Sequence, residues 1–596
     1  MEVFVSRAVR RSRSRKSFAY VAGAALTAPL ALTGAAHAAT TAAASEYTVT
    51  ALKFTVAAAG RSCIVDADLY RPAGAVLATN GFGGSKSDGS TDAIGKAFAS
   101  RGYVGLVYSG LGFGKSGCLI TLDDPAIDGR AATGLIDFLA GTRAADDGTK
   151  ADFVTKDGNG DPRVGMIGGS YGGAIQLATA AVDHRVDALV PLITWNDLSY
   201  ALDPNNTATS KGVSSETPGV FKWQWTNGFY LMGEGQTILA PSLDPSRFGN
   251  LTCLHFAAQA CDTIRLLDSG RYLADSAGAM LDYARSVSPV SYLGKVKAPT
   301  LLVQGQTDSL FNLNEATATY RTLKSQGTTT KMIWQSWGHS GGQVPGELDL
   351  NEGNLETSYV GQRVLAWFDR YLRHSRSTDT GPEFAYYRDW ESGYGTAAAV
   401  PSLSQKVYLS GDGKLVDNRS KVTRGSRQYA NWLVPTSHSE SSLAGIVGLP
   451  DPEPYDTHGT YLGWTSAPLT SAVDVVGAPR ATLKVVSPKT ERVQNSGDAA
   501  DKLVLFAKVY DVSPDGSRTL VNRLVSPVRV PDVTRQFTVQ LPGIVHRYRA
   551  GHRLEFVIAA SDSAYFGNRG IKPVTVVSAP DDAGVLELPV VAGRVN

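Results

Sequence analysis

From Glu46 to about Leu372, short apolar runs alternate with longer stretches of helical period. Val76–Asn80, Tyr103–Tyr108 and Ala188–Ile193 read as buried strands, and Ala131–Ala140 and Gln362–Leu372 as helices. Strands separated by helices bury both faces of a sheet, so this half of the chain predicts an α/β fold. Between Thr194 and about Lys297 the alternation breaks. That insert holds Trp195, Trp223, Trp225, Phe229 and Tyr230, and a helical run from Ile264 to Tyr283. After about Pro382 the helical period disappears. Val407–Leu409, Ala481–Val486, Leu503–Tyr510 and Leu554–Ile558 are separated by Gly, Pro, Asp and Ser turns, which predicts an all-β sandwich of jelly-roll type. A chain of 596 residues exceeds what one core supports. The pattern divides it into an α/β domain at 46–375, with a cap insertion at about 195–297, and a sandwich at 382–596.

The ends and the composition add a compartment. Arg7, Arg10, Arg11, Arg13, Arg15 and Lys16 precede an alanine-rich apolar run from Phe18 to Ala36, and Ala36-His37-Ala38 is an A-x-A cleavage pattern. Residues 1–38 therefore read as a signal peptide cleaved after Ala38, and the protein as secreted. The Arg10-Arg11 pair leaves the export route open. Residues 1–38 hold six basic residues and one acidic, so 51 basic face 54 acidic in the remainder, a net of −3. Nucleic-acid binding has no electrostatic support there. No later segment has 18 uninterrupted apolar residues, so no membrane span is expected in the mature chain. Four cysteines suit an exported protein with disulfides and allow three connectivities. Cys253 with Cys261 closes a short loop, which leaves Cys63 with Cys118. No cysteine has a histidine partner in a metal motif, so no metal and no cofactor are expected.

The candidate chemistry starts at Gly168-Gly169-Ser170-Tyr171-Gly172-Gly173, preceded by Arg163–Ile167 and followed by Ala174–Ala178. Strand, sharp turn and helix make this a nucleophile elbow, whose serine sits on a strained turn where Cβ atoms at Gly168 and Gly172 would collide. In a chain with 62 glycines the bare pattern arises by accident, so its partners decide. A serine nucleophile needs a histidine base and a carboxylate to orient it, following in the order acid, then histidine. Asp308 ends the buried-type strand Ala298–Gln306, and His339 lies in a glycine-flanked turn after Lys331–Gln335. Among the other histidines, His184 lies in a charged segment and His374 at a solvated helix end. Ser170, Asp308 and His339 are the expected triad. Two backbone donors should face the oxyanion: the amide of Tyr171 and that of Phe82, in the glycine loop Asn80–Gly84. The aromatic residues Trp195, Trp223, Trp225, Phe229 and Tyr230, with Trp337, are candidates for a substrate pocket; the alternative is an ordinary packed helical subdomain.

Other motifs fail on context. Gly112–Gly117 satisfies G-x-G-x-x-G but opens no helix for a pyrophosphate. Asp157–Asp161 begins like a calcium loop, yet Pro162 stands where the glycine belongs. Asn205, Asn250 and Asn418 begin glycosylation sequons.

The stretches Gly165–Gly173, Gly110–Gly117, the Asp308 strand, Trp337-Gly338-His339, Tyr510–Gly516 and Gly551–Leu554 resemble the Xaa-Pro dipeptidyl-peptidase and cocaine-esterase-like acyl hydrolases, over nearly all the mature chain. The resemblance implies an α/β-hydrolase domain with a helical cap followed by a jelly roll, and a serine hydrolase acting on a peptide or small-molecule substrate. Dipeptidyl-peptidase-like cleavage and acyl-ester hydrolysis are the two activities implied. A peptidase of this kind binds a free ammonium, for which Asp197, Glu216 and Glu234 are candidates. Phe82 stands near the position of the family's oxyanion tyrosine, and Ser109 and Leu111 replace its aspartate and arginine. A rival from another class is an inert exported protein whose sandwich grips a glycan.

Overall fold

The computed structural model describes residues 47–71, 75–207, 209–239, 244–349, 351, 353–440 and 452–596; the signal peptide expected at 1–38 lies outside them. A ten-stranded sheet forms the frame of the first half. The hairpin Thr48–Ala58 and Arg61–Arg71 opens it, paired antiparallel to Val104–Tyr108. Then follow, all parallel, Ala75–Thr79, the elbow strand Val164–Gly169, Val186–Leu192, the acid strand Thr300–Gly305, the histidine strand Thr330–Gln335 and Phe384–Arg388. Gly393–Ala397 closes it antiparallel.

Strand periodicity sorts the core into two layers. Ala75 and Leu77 face Leu135, Phe138 and Leu177, from the helices Arg130–Leu139 and Tyr171–Ala180. Val76 and Ala78 face Phe98, Trp367 and Phe368, from the helices Gly89–Ser100 and Tyr359–Leu372. Because both faces are covered, the central strands are buried along their whole length. The sheet also runs past the boundary expected at 375–382: Phe384–Ala397 belongs to it, because Phe384 packs against Trp334 of the histidine strand.

The cap insert is helical. Leu198–Leu202, the long cap helix Trp223–Leu239, Ala258–Ser269, Ala274–Ser286 and Pro289–Tyr292 follow the strand Val186–Leu192. The helical run expected over Ile264–Tyr283 is two helices. Gly270 ends the first at φ 60°, the left-handed conformation that glycine adopts freely, and Tyr272 turns its amide to Asp498 at 2.8 Å. Both expected disulfides form, Cys63 with Cys118 and Cys253 with Cys261. Asp157–Asp161 lies in a short hairpin, with Asp157 paired to Arg163 at 2.6 Å. Among the described residues no helix is long and apolar enough to cross a membrane.

The second half is a β-sandwich. One sheet orders Leu415–Val416, Gln405–Leu409, Val585–Leu588, Arg480–Leu483 and Phe537–Gln540; another is built on Tyr461–Thr465, Arg553–Ala559 and Val504–Val512. Inward side chains such as Val407, Leu483, Leu505 and Phe556 close its core around Trp464. The sandwich packs on the first half along a broad seam. Val220 joins Val504 and Phe506, Phe221 stacks edge-on against Phe566, and Asn314 bonds both the Leu541 carbonyl and the Gly543 amide. Asn205, first residue of a sequon, is buried in this seam and accepts from the Arg529 amide.

Candidate active site

Ser170 occupies the turn between the elbow strand and its helix with φ 56° and ψ −119°, a conformation that few side chains tolerate. The turn is pinned locally. Ser170 N–H donates to the Leu192 carbonyl at 2.9 Å, and its own carbonyl accepts from Gly173 and Ala174. A Cβ at Gly168 would come within 2.6 Å of the Gly172 carbonyl oxygen, and one at Gly172 within 2.5 Å of the Thr79 oxygen. Both glycines are therefore steric requirements of the turn and of its approach to the next strand end.

Asp308 and His339 arrive from neighbouring strand ends, because the acid and histidine strands are adjacent and parallel. Asp308 is 0% exposed. One carboxylate oxygen accepts from the Leu310 and Phe311 amides at 3.0 and 2.8 Å, which leaves the other for His339 Nδ1 at 2.7 Å. His339 Nε2 lies 2.9 Å from Ser170 Oγ. With its proton on Nδ1, the imidazole donates to Asp308 and accepts from the Ser170 hydroxyl, the orientation a general base requires. Gly338 permits the approach, since a Cβ there would meet Asp308 Cβ at 2.5 Å. Phe311 and Trp225 meet the imidazole edge-on, with ring centres 5.1 and 6.3 Å away.

Tyr171 is the first residue of its helix, so its amide has no intrahelical partner. The Phe82 loop lies alongside: the Cβ position of Gly81 is 4.0 Å from the Gly169 carbonyl oxygen. Among the described residues the Phe82 amide makes no hydrogen bond. Buried Asn80 braces this loop, accepting from the Gly110 amide at 3.0 Å and donating to the Gly81 carbonyl at 2.8 Å. The Phe82 ring carries no hydroxyl and instead packs edge-on against Phe113, Tyr171 and Phe229.

A cavity of about 110 Å³ opens at Ser170. Trp195, Phe229 and Tyr230 line it, with Leu198, Phe256 and Phe311. Three other expected pocket residues lie off it. Trp223 is 37% exposed and donates to the Ser563 carbonyl of the sandwich. Trp225 is buried behind the wall, stacked on Phe229, and Trp337 on the histidine loop does not line the cavity. The spacing of the cap helix separates these roles: residues 226, 229 and 230 share the inward face.

The expected ammonium carboxylates also lie elsewhere. Asp197 caps the helix Leu198–Leu202 and bonds Ser214. Glu216 is exposed, and Glu234 accepts from the Leu254 and His255 amides. Glu234 approaches Cys253 and Cys261, but their sulfurs form a disulfide and offer no thiolate. The carboxylate on the cavity wall is Asp203, 4% exposed. One of its oxygens accepts from the Gly219 amide at 2.8 Å, and the other has no hydrogen-bond partner among the described residues. Burial raises this carboxyl to about 6, against the opposing pull of Arg529 in the sandwich. Asp203 precedes Pro204-Asn205-Asn206, which reads as an ordinary loop, so no sequence signal marked it.

The Gly112–Gly117 loop, without the family's aspartate and arginine, is held from the cap. Arg247 donates to the Gly114 and Gly112 carbonyls at 2.8 and 2.7 Å, and His255 Nε2 sits 2.6 Å from the Gly112 oxygen. Burial lowers the His255 pKa. The Ser116 hydroxyl closes the loop onto the Ser109 carbonyl at 2.7 Å.

A serine-bearing elbow on a parallel sheet, roofed by a helical cap and followed by a β-sandwich, defines a hydrolase of the α/β-hydrolase class. The family model for X-Pro dipeptidyl-peptidase (S15 family) matches residues 85–341, and that for the X-Pro dipeptidyl-peptidase C-terminal non-catalytic domain matches 379–574. The chain belongs to the X-Pro dipeptidyl-peptidase (S15) family of serine hydrolases. Its fold is similar to that of an aminopeptidase from a marine sediment archaeon, Thaumarchaeota archaeon (14% identity, 91% of this chain and 97% of the other, TM-score 0.63). An α-amino acid ester hydrolase is similar too (16%, 93% and 98%, 0.60), as is a CocE/NonD family hydrolase from Staphylococcus aureus (12%, 91% and 97%, 0.56). No curated protein sequence matches the chain.

Proposed function

We propose that this serine hydrolase works through Ser170, His339 and Asp308 and cleaves the ester or amide bond of a compact apolar acyl group. His339 Nε2 takes the Ser170 proton as Oγ attacks the acyl carbonyl. The Tyr171 and Phe82 amides face the developing oxyanion, and Asp308 holds the imidazolium. The same proton passes to the leaving oxygen or nitrogen as its bond to the acyl carbon breaks. Water then attacks the acyl-enzyme, gives a proton to His339, and releases the acid as Ser170 recovers its hydrogen. The observation that carries this reading is the continuous line from Asp308 Oδ2 through His339 to Ser170 Oγ, opening on an apolar cavity. An apolar cavity of ~150 Å³ accepts benzene, so the space here suits a side chain of about proline or small aryl size.

Asp203 favours a second reading, in which the acyl group carries a free ammonium, as in a dipeptide ending in proline or an α-amino acid ester. The names of the similar aminopeptidase and amino acid ester hydrolase point the same way. Incubating the mature protein with an aryl ester of a small acid and with an Ala-Pro anilide separates the two readings. The first expects ester turnover unaffected by Asp203→Asn; the second expects anilide turnover whose KM rises in that variant. In either case Ser170→Ala lowers kcat by about 10⁶-fold with folding intact. Equal turnover by that variant overturns the assignment of Ser170, and failure of a phosphonate to label Ser170 favours the inert glycan binder. We also propose export: the basic and apolar N-terminus with its A-x-A site and the two cystines support it.

A further inference from the structure

The chain leading into the cap helix is anchored on the β-sandwich, and one of its side chains reaches back to the loops under the triad. Lys222, the residue before Trp223–Leu239, is 3% exposed. Its ammonium donates to the Ser309 carbonyl, stands 3.8 Å from Glu440 Oε2 and lies 5.5 Å from the centre of the Tyr565 ring. Glu440 and Tyr565 belong to the sandwich and are equally buried. The Tyr565 hydroxyl donates to the same Glu440 oxygen at 2.7 Å, and the Val525 amide faces the other.

Ser309 follows Asp308, and Ser340 follows His339. The Ser309 amide donates to Ser340 Oγ at 3.0 Å, and the two hydroxyls are hydrogen-bonded. One chain of polar contacts therefore runs from Glu440 through Lys222 to Ser309 and Ser340, the backbone neighbours of the Asp308–His339 bond. A buried ammonium is costly, and apolar side chains of similar size usually join two domains at least as well. What an apolar side chain cannot do is donate to the Ser309 carbonyl.

We infer that Lys222 is a positioning residue, paired with Glu440, which sets the acid and histidine loops in register for proton transfer and so gives the sandwich its part in catalysis. The inference rests on the triad reading above. The helix itself is fixed separately, since Trp223 and Gln224 both donate to the Ser563 carbonyl. Thr226, Phe229 and Tyr230, further along the same helix, line the cavity. Loss of the Lys222 donor therefore acts on kcat and spares the pocket.

The test uses the full mature chain and an aryl ester. Lys222→Met/Glu440→Gln removes the ammonium and the carboxyl together, so neither is left buried without its partner. Its kcat is expected to fall by about 10–100-fold with KM changed less than about twofold and Tm within a few degrees. Lys222→Met alone should lose kcat and also stability, with the second substitution restoring stability but not kcat. If kcat returns together with Tm in the double variant, Lys222 is only a structural ion-pair member and the inference falls. Ser170→Ala is measured alongside. Full turnover there overturns the triad reading and this inference together, whereas an inactive Ser170→Ala beside a fully active double variant overturns this inference alone.

Discussion

The turn that carries Ser170 and the loops that carry Asp308 and His339 meet on one hydrogen-bonded line, yet they are held in opposite ways. The serine turn is fixed by its own backbone. Its unusual dihedrals, the amide to Leu192 and the two glycines all lie within the elbow or one strand away. The acid and histidine loops are fixed by side chains from distant parts of the chain: Ser309 with Ser340, Lys222 from the cap, and Glu440 and Tyr565 from the sandwich. In the proposed triad the nucleophile needs a strained conformation, which short-range sterics can impose. The base and its acid need a distance, and only packing between elements sets a distance.

Beside the loss expected of Ser170→Ala, the largest effect falls on the loop side alone. Asp308→Asn keeps the shape of the carboxylate but favours the wrong imidazole tautomer, so kcat should fall about 10⁴-fold with the melting transition little changed. Steady-state kinetics beside a thermal melt checks this, and a loss of folding in step with activity would show that the acid loop is as self-contained as the serine turn.

Gly172→Ala attacks the other side. Its Cβ would press on the Thr79 carbonyl, which belongs to a packed strand and cannot swing away. A cost of about 3 kcal/mol is expected, seen as a lowered urea midpoint, together with weakened phosphonate labelling of Ser170. A variant with wild-type stability would mean that the elbow relaxes more readily than its geometry implies.

A smaller, pH-dependent effect tests the wall where cap and sandwich meet. Burial lifts the Asp203 carboxyl from 3.8 to about 6. Between those values the folded protein binds more protons than the unfolded chain, so this group's contribution to stability falls as pH rises and levels off above about 6. Asp203→Asn should therefore stabilise by up to about 3 kcal/mol at pH 7.5 and leave stability unchanged below the unfolded value. Denaturant titrations of both proteins at the two pH values decide it. An equal gain at both would mean the carboxylate is not under strain from burial.

Legibility followed the same divide. Gly168-Gly169-Ser170-Tyr171-Gly172 was readable because an elbow is a local conformation with a local steric code, and Asp308 and His339 because they end consecutive parallel strands. The cap was less so. Gly270 ends a helix inside the run Ile264–Tyr283, so two helices read as one run. Trp223 and Trp225 look like pocket residues by type, but the rotation of their helix points one at the sandwich and buries the other behind the wall. Glu216 and Glu234 have the right chemistry in the right insert, while Asp203 sits in a plain loop that only the seam with the sandwich buries. The strands at Phe384–Ala397 resemble the sandwich strands after them, and their membership of the first sheet depends on Trp334 lying beside Phe384.

The sequence by itself determined the layered α/β frame, the β-sandwich, the strained serine turn and the order of its partners. Each of these is written in short-range periodicity, glycine placement or strand sequence. Tertiary structure alone decided which aromatic residues line the cavity, which carboxylate faces it, and how Lys222 joins the sandwich to the loops beside Asp308 and His339. Those depend on which faces of remote elements are pressed together and closed off from water, and no local pattern carries that information.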